Sequence, residues 1–311
     1  MSFTTQIKNE INKIELIEPE AEKIAELSAI IYNSEYDDNF IRISIENSNV
    51  ANRVFALLKD IFKVNSKVTV RRGYNYSNKY LYILEVNSNI KDILSILGIY
   101  KSTYLLKPED YIIYDMESTR AYLRGLFSIC GSINDPKKSR YHLEFLVNNE
   151  KYASFISKML NEFYLNSKYI KRNQKYMIYI KEAEKIGDFL RIINANIAVM
   201  YYEDIRIYRD HKNMTNRLNN MEQANVDKMI ASATKQVEDI ELINEIGGLD
   251  LLDEKEKIVA EYRLKYKEAS LSELSEIISY ETGKKISKSG INHRMKKIKE
   301  LSNRIRNKEK D

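Results

Sequence analysis

The sequence predicts an α+β chain: a duplicated helix–strand–helix–hairpin–helix unit, then a long polar helix, then an all-α helix-turn-helix domain. Three observations predict it. The same order of apolar periodicities runs through 21–100 and again, about 100 residues later, through 118–202. From about Asn213 to Ile246 there is neither glycine nor proline, so one helix is expected. The last 60 residues contain two capping-box starts and, after them, a basic helix with its own cap.

Residues 3–17 read as a short amphipathic helix ending before Pro19, within an N-terminal segment 1–20. The first repeat, 21–100, opens with a helix from Ala21 to about Asn33, with Ile24, Leu27, Ile30 and Ile31 on one stripe. Ile41, Ile43 and Ile45 alternate with Arg42, Ser44 and Glu46, a half-buried strand. Val50, Val54, Leu57, Leu58, Ile61 and Phe62 lie at helical spacing. Strands at 67–72 and 79–86 joined by a turn at Gly73–Asn78 make a hairpin, and a helix carrying Ile90, Ile93, Leu94 and Leu97 closes at Gly98.

The second repeat, 118–202, follows suit. Tyr122–Cys130 is a helix; Leu143, Phe145 and Val147 alternate; Tyr152, Phe155, Ile156, Met159, Leu160 and Phe163 form the next helix. Strands at 168–172 and 176–180 make the hairpin, and Ile186, Phe189, Leu190 and Ile193 close it. The tripeptide Asn-Ser-Lys precedes or enters a basic strand in both copies, at 65–67 and 166–168. Self-similarity at this period marks a duplicated architecture. A linker, 203–248, follows: a charged strand or bend at 203–210, then the long helix, stopped by Gly247-Gly248. In 250–311 one helix starts at Asp253 with Glu256 three positions on, and another at Ser270 with Glu273 three on.

The third helix of this domain starts with Ser287 as its cap. Ile291, Met295 and Ile298 form its apolar face, and Lys288, Ser289, Asn292, His293 and Lys296 fall elsewhere. Residues 284–310 hold 11 Lys/Arg against 2 Glu. Two helices and a turn before a basic, capped helix is the pattern of DNA readout. Lys288, Ser289, Asn292 and His293 are the candidates for base edges, and Arg294, Lys296 and Lys297 for phosphates, with Arg294 also able to reach a guanine; Ser287, at the cap, completes the candidate DNA-binding set.

Charge distribution agrees. The whole chain of 311 residues carries only +5, but 201–250 holds 6 basic and 10 acidic residues, whereas 251–311 holds 16 and 11. A positive field at one end implies an anionic partner, double-stranded DNA first. Lys, Asn, Ile and Tyr are abundant throughout, a bias that an AT-rich genome produces unaided, so single residues of these types are weak evidence of a site. Cys130 is the one cysteine, which excludes an internal disulfide and a thiolate cluster within the chain. The three histidines, His142, His211 and His293, are far apart, and no metal or cofactor is expected. The N-terminus has no signal-peptide pattern, and no apolar run reaches the ~20 residues that span a bilayer, so a cytoplasmic, nucleoid-associated place and no membrane partner are expected.

The stretch Ile286-Ser287-Lys288-Ser289-Gly290-Ile291-Asn292-His293-Arg294-Met295-Lys296-Lys297-Ile298 resembles the C-terminal signature of the WhiA family of bacterial DNA-binding regulators. So do the opening Met1-Ser2-Phe3-Thr4, the stretch from Tyr122-Leu123-Arg124-Gly125-Leu126-Phe127 through Gly131-Ser132-Ile133-Asn134-Asp135-Pro136, and Arg209-Asp210 with Asn216-Arg217, Asn220, Glu222, Ala224-Asn225 and Lys228. Lys285 and Ser275 depart from it, where proline and glycine are expected. The resemblance implies a pseudo-twofold LAGLIDADG homing-endonuclease-like domain followed by a helix-turn-helix similar to sigma-factor region 4. It implies transcription regulation linked to sporulation, cell division or chromosome organisation, with RNA polymerase or another regulator as a candidate partner.

A LAGLIDADG nuclease ends each of two paired helices in a carboxylate that holds a divalent metal. Here those positions fall on Ser34 and Cys130, which cannot replace hard-oxygen acids, so no catalytic residue is assigned. Glu35, Asp37, Asp38 and Asp135 lie near in sequence and could restore a site only if a loop carried one to the helix ends. Ser28, Ala29 and Gly125 leave room for the helices to pack closely. Arg71, Arg72, Lys171, Arg172 and Lys175, on or beside the hairpins, are candidates for a secondary DNA contact. A solvated sheet face, or a surface for a protein or small effector, fits them equally. The alternatives to a sequence-specific regulator are a non-specific nucleoid protein and a residual homing endonuclease.

Overall fold

The structure, a computed structural model, describes residues 1–13, 15–72 and 80–308. The expected turn at Gly73–Asn78 lies outside the described residues. The chain divides into two compact units, Met1–Asp210 and His211–Asp311.

Unit 1 begins with α1 (Phe3–Ile11), capped by the Ser2 hydroxyl on the Thr5 amide. The helix expected to reach residue 17 stops at Ile11. Asn12 turns its amide back onto the Lys8 carbonyl and onto Ser128, and the carbonyls of Lys13 and Glu15 are taken by the Arg53 guanidinium. Arg53 thus supplies these carbonyls with the donors that a longer helix would have given them.

The first repeat then runs α2 (Glu20–Tyr32), β1 (Glu35–Tyr36), β2 (Ile41–Ile45), α3 (Ser48–Phe62), β3 (Lys67–Arg72), β4 (Tyr80–Val86) and α4 (Ile90–Ile96). A two-residue hairpin, β5 (Tyr100–Lys101) and β6 (Thr103–Tyr104), leads onward. The second repeat runs α5 (Met116–Cys130), β7 (Gly131–Ile133), β8 (Leu143–Val147), α6 (Glu150–Glu162), β9 (Lys168–Arg172), β10 (Lys175–Ile180) and α7 (Ala183–Ile192). Corresponding helices start alike: Asn47 caps α3 and Asn149 caps α6 through the side-chain oxygen.

The two sheets have the same antiparallel topology, β1-β2-β4-β3 and β7-β8-β10-β9. The duplication read from periodicity is therefore a duplication of strand order. The short strands β1 and β7 were not anticipated: two or three residues carry no period. In each sheet one face is apolar, with Ile41, Ile43, Ile45, Leu84 and Val86 in the first and Leu143, Phe145, Val147, Ile178 and Ile180 in the second. Helices cover those faces.

α2 and α5 pack side by side between the repeats. Leu27, Ile30 and Ile31 enter the core of the first repeat, whereas Ala25 and Ala29 join that of the second. Contact is closest at Gly125, where a Cβ would stand 2.2 Å from the Glu26 carbonyl oxygen. Only glycine fits there.

From Asn196 to Gly247 the chain is one helix, α8. The strand or bend expected at 203–210 is helical instead. Glu203 and Arg206 pair at i,i+3, Arg206 also meets Glu184, and Arg209 donates to the carbonyls of Pro136 and Ser139. These contacts suit a 3.6-residue period, not the period of two that the alternation of Ile205 and Ile207 with charged neighbours suggests.

Unit 2 holds the end of α8 with α9 (Glu254–Lys265), α10 (Leu271–Thr282) and α11 (Lys288–Lys308). Both expected capping boxes form, on Asp253/Glu256 and Ser270/Glu273. Gly283 closes α10 in the left-handed region, at φ 69°. Ile240, Ile243, Val259, Leu274, Ile278, Ile291, Met295 and Ile298 make the core. Buried Arg263 donates to the Tyr266 and Ala269 carbonyls and so ties the turn before α10.

Candidate nucleic-acid interface

α11 is oriented by its apolar stripe. Ile291, Met295 and Ile298 are buried, which leaves Lys288, Ser289, Asn292, His293 and Lys296 exposed. Lys299 and Asn303 extend the same side, since 292, 296, 299 and 303 follow the i, i+4, i+7, i+11 spacing, and both are exposed. Lys288 and Lys296 have no acidic partner among the described residues, so their charge faces solvent uncompensated.

Three of the expected contact residues stand differently. The Ser287 hydroxyl accepts the Gly290 amide at 3.2 Å, so it caps the helix. Lys297 reaches Glu256 at 3.3 Å and Asp253 at 3.9 Å, which draws it toward the start of α9. Arg294 is half-buried on the flank. The entry to α11 is held from α10: Ser275 donates to the Ile286 carbonyl at 2.7 Å and the Ile286 amide donates to Ser279 at 3.0 Å. The serine at 275, where the resemblance predicts glycine, thus has a structural task. At the far end, Ser302 and Arg306 bind the buried Asp239 of α8, at 2.8 and 3.0 Å.

The basic hairpin residues of unit 1 do not share one face. Strand register puts Arg71, with Lys67, Arg42 and Ser44, on the sheet face away from the helices, and Arg72 on the opposite face. In the second sheet Arg172 and Lys175 are outward with Lys168 and Glu144, whereas Lys171 faces the helix side of the edge strand. Two of the outward cations are compensated: Arg42 pairs with Glu85 at 2.8 Å and Glu35 at 3.7 Å, and Arg172 with Glu144 at 3.7 Å. His142 also meets Glu144, at 3.1 Å.

The ends of α2 and α5 open into a cleft of about 510 Å³ lined by Ser34, Glu35, Arg42, Cys130 and Lys175 among others. At both positions where the fold's nucleases carry an acid, the side chain turns onto its own helix. Ser34 Oγ donates to the Ile30 carbonyl at 2.8 Å, and Cys130 Sγ to that of Leu126 at 3.2 Å. Burial pushes the Cys130 thiol up to about 12, so it stays protonated and neutral. The neighbouring acids are engaged, Glu35 with Arg42 at 3.7 Å. Asp37 caps its own turn at Asn39 and Phe40, Asp38 binds Tyr104 and Lys91, and Asp135 binds the Lys137 amide. Among the described residues, no three His, Cys, Asp or Glu side chains come together to hold a metal ion.

One charged cluster was invisible in the sequence. Glu26 on α2 is fully buried, and its carboxylate takes Arg53 of α3 at 3.0 and 2.9 Å and Arg124 of α5 at 3.0 and 2.8 Å. Glu18 joins at 2.8 Å from Arg53. Burial opposes the Arg53 charge, yet Glu26 and Glu18 raise its pKa. For Glu18, burial is likewise outweighed, by backbone and Arg53 hydrogen bonds, and its pKa falls. The cluster joins α2, α3 and α5, so it ties the two repeats together. Partners 27 and 98 positions apart leave no local trace.

Comparison with known proteins gives a consistent picture. Residues 20–100 match the WhiA N-terminal LAGLIDADG-like domain, 119–212 the WhiA LAGLIDADG-like domain, and 215–302 the WhiA C-terminal HTH domain. The chain is 40% identical over 313 aligned residues to a protein of Staphylococcus aureus (strain JH9) named "Probable cell division protein WhiA", covering 99% of this chain and 98% of the relative. Among solved structures it is similar to full-length DUF199/WhiA from Thermatoga maritima, at TM-score 0.57 and 26% identity, covering 98% of this chain and 99% of the other.

Proposed function

The chain belongs to the WhiA family, and from that premise we propose that it is a sequence-specific DNA-binding transcription regulator that works on the nucleoid without nuclease activity. The observation that carries this reading is the exposed, uncompensated basic side of α11, with Asn292 and His293 between Lys288 and Lys296. In the helix-turn-helix docking mode such residues enter the major groove, where Asn and Lys read base edges and phosphates. Ser287 and Lys297 act in this reading by starting and seating the helix. Arg294, on the flank, takes a phosphate. The named relative supports a link to cell division, and sporulation or chromosome organisation are the related roles we infer for the regulated genes.

The absence of cleavage is supported by Ser34 and Cys130, both neutral and both bonded to their own helices. Two-metal phosphodiester chemistry needs carboxylates at those ends. The outward residues Arg71, Arg172 and Lys175 supply at most a secondary DNA contact in this reading. Genomic fragments selected by the full chain, at physiological salt with Mg²⁺, test both halves together. Retention of a reproducible subset, uncut, supports the proposal; equal retention of random duplex, or nicking, refutes it.

A further inference from the structure

A second cleft, of about 590 Å³, adjoins the one at the helix ends and shares Asn33, Ser34, Glu35 and Asn148 with it. Its wall is aromatic: Tyr36, Phe40 and Tyr104, with the Tyr36 and Tyr104 ring centroids 5.7 Å apart. Its floor is locked. The Tyr32 and Tyr152 rings lie 4.1 Å apart, the Tyr152 hydroxyl bonds Tyr122 at 2.7 Å and Asn33 at 2.9 Å, and Asn149 donates to Tyr32 at 3.3 Å. The polar atoms of the floor are therefore spent on one another, and the surface above them is preorganised.

The rim differs. Asn148, exposed and lining both clefts, has no partner among the described residues and offers a donor and an acceptor together. Beyond it the first cleft carries Arg42 and Lys175. The Arg42 guanidinium lies 5.0 Å from the Phe40 ring, so the cationic half begins where the aromatic half ends. Arg42 is partly neutralised by Glu35 and Glu85, whereas Lys175 has no acidic partner among the described residues.

We propose that this double cleft binds a nucleotide unit, with the base against Tyr36, Phe40 and Tyr104, its edge on Asn148, and its phosphate on Lys175. An aromatic wall, an unspent amide and a cation in sequence match the three parts of that ligand, and the volume is in the range of small-molecule sites. A purely apolar ligand would leave Asn148 and Lys175 without partners. A bare phosphate would leave the aromatic wall empty.

The test uses calorimetry on the full chain with ATP, GTP, CTP and UTP, their nucleosides, inorganic tripolyphosphate and a ten-nucleotide single strand. At least one nucleotide should bind saturably, more tightly than its nucleoside and than tripolyphosphate. Tyr104→Ala, at an exposed position, and Lys175→Ala should each weaken binding roughly tenfold, with circular dichroism unchanged. Asn148→Asp should change the preference among bases. If only the single strand binds, with the same dependence on both variants, the site stands and its nucleotide belongs to a strand. No binding by any probe, equal binding of tripolyphosphate and nucleotides, or indifference to both variants overturns the proposal.

Discussion

The two basic surfaces of the molecule differ in what surrounds their cations. On α11 in unit 2, Lys288 and Lys296 have no acidic partner among the described residues, on a helix whose other side is buried. On the outward sheet faces of unit 1, Arg42 and Arg172 are answered by Glu35, Glu85 and Glu144, which leaves outward Arg71 and Lys175 without an acidic partner among the described residues. A count of basic residues would rank the surfaces together; the pairing removes Arg42 and Arg172 from the second. An already compensated cation has little left for a phosphate, and counterion release depends on uncompensated charge.

Unit 1 holds a further contrast, since its Glu26–Arg53–Arg124 cluster is buried among α2, α3 and α5 rather than presented. Gly125→Ala should therefore give the largest effect on stability. Its methyl would meet a backbone oxygen that cannot move aside, and unit 1 should lose about 3 kcal/mol or more in denaturant unfolding. Glu26→Ala should cost a comparable amount, about 3–5 kcal/mol, because it leaves Arg53 and Arg124 buried without their carboxylate. Hydrogen exchange should find the loss in unit 1, with the amides of α9 to α11 still protected. Loss of protection there instead would show that the two units do not differ in this way.

The comparison is sharpened next by charge reversal on each surface. Lys288→Glu with Lys296→Glu should lower duplex affinity by roughly a hundredfold or more at physiological salt, and the salt dependence should become shallower. Arg71→Glu with Lys175→Glu should change it by less than roughly tenfold. Fluorescence anisotropy with labelled duplex measures both, and equal losses would dissolve the distinction between the surfaces.

The smallest effect is on acid stability. Glu18 has its pKa held below the ordinary value in the folded chain, so it contributes stability that is complete above the unfolded carboxylate pKa. That contribution disappears as pH falls through the lower, folded pKa. Melting of unit 1 should thus steepen its decline below about pH 4, near the ordinary glutamate pKa. Glu18→Gln should flatten that decline, and an unchanged acid profile in the variant would contradict the assignment.

Much of this fold was legible in the sequence because its signals are local. The capping boxes at Asp253 and Ser270, the cap at Ser287 and the alternation in 41–45 each lie within one element. The repeat was legible because two copies of a pattern reinforce each other. What escaped lacks either property. β1 and β7 are too short for a period, and 203–210 alternates like a strand while its ion pairs are spaced for a helix. The Glu26 cluster is assembled from three helices. At the candidate interface the residue types could be read on α11, but not their tasks. The capping bond of Ser287 was visible, whereas the pull of Glu256 on Lys297 needs the packing of α9 against α11. Likewise, adjacent Arg71 and Arg72 point to opposite faces as strand geometry requires, and the register decides which is outward.

The most direct test of the account is affinity of the full chain for a selected genomic fragment and for random duplex, as a function of salt. It is measured beside the Lys288→Glu/Lys296→Glu and Arg71→Glu/Lys175→Glu variants. The account predicts that the α11 variant loses both affinity and the preference for the selected fragment, while the sheet variant keeps the preference. Preference retained by the α11 variant and lost by the sheet variant would contradict it.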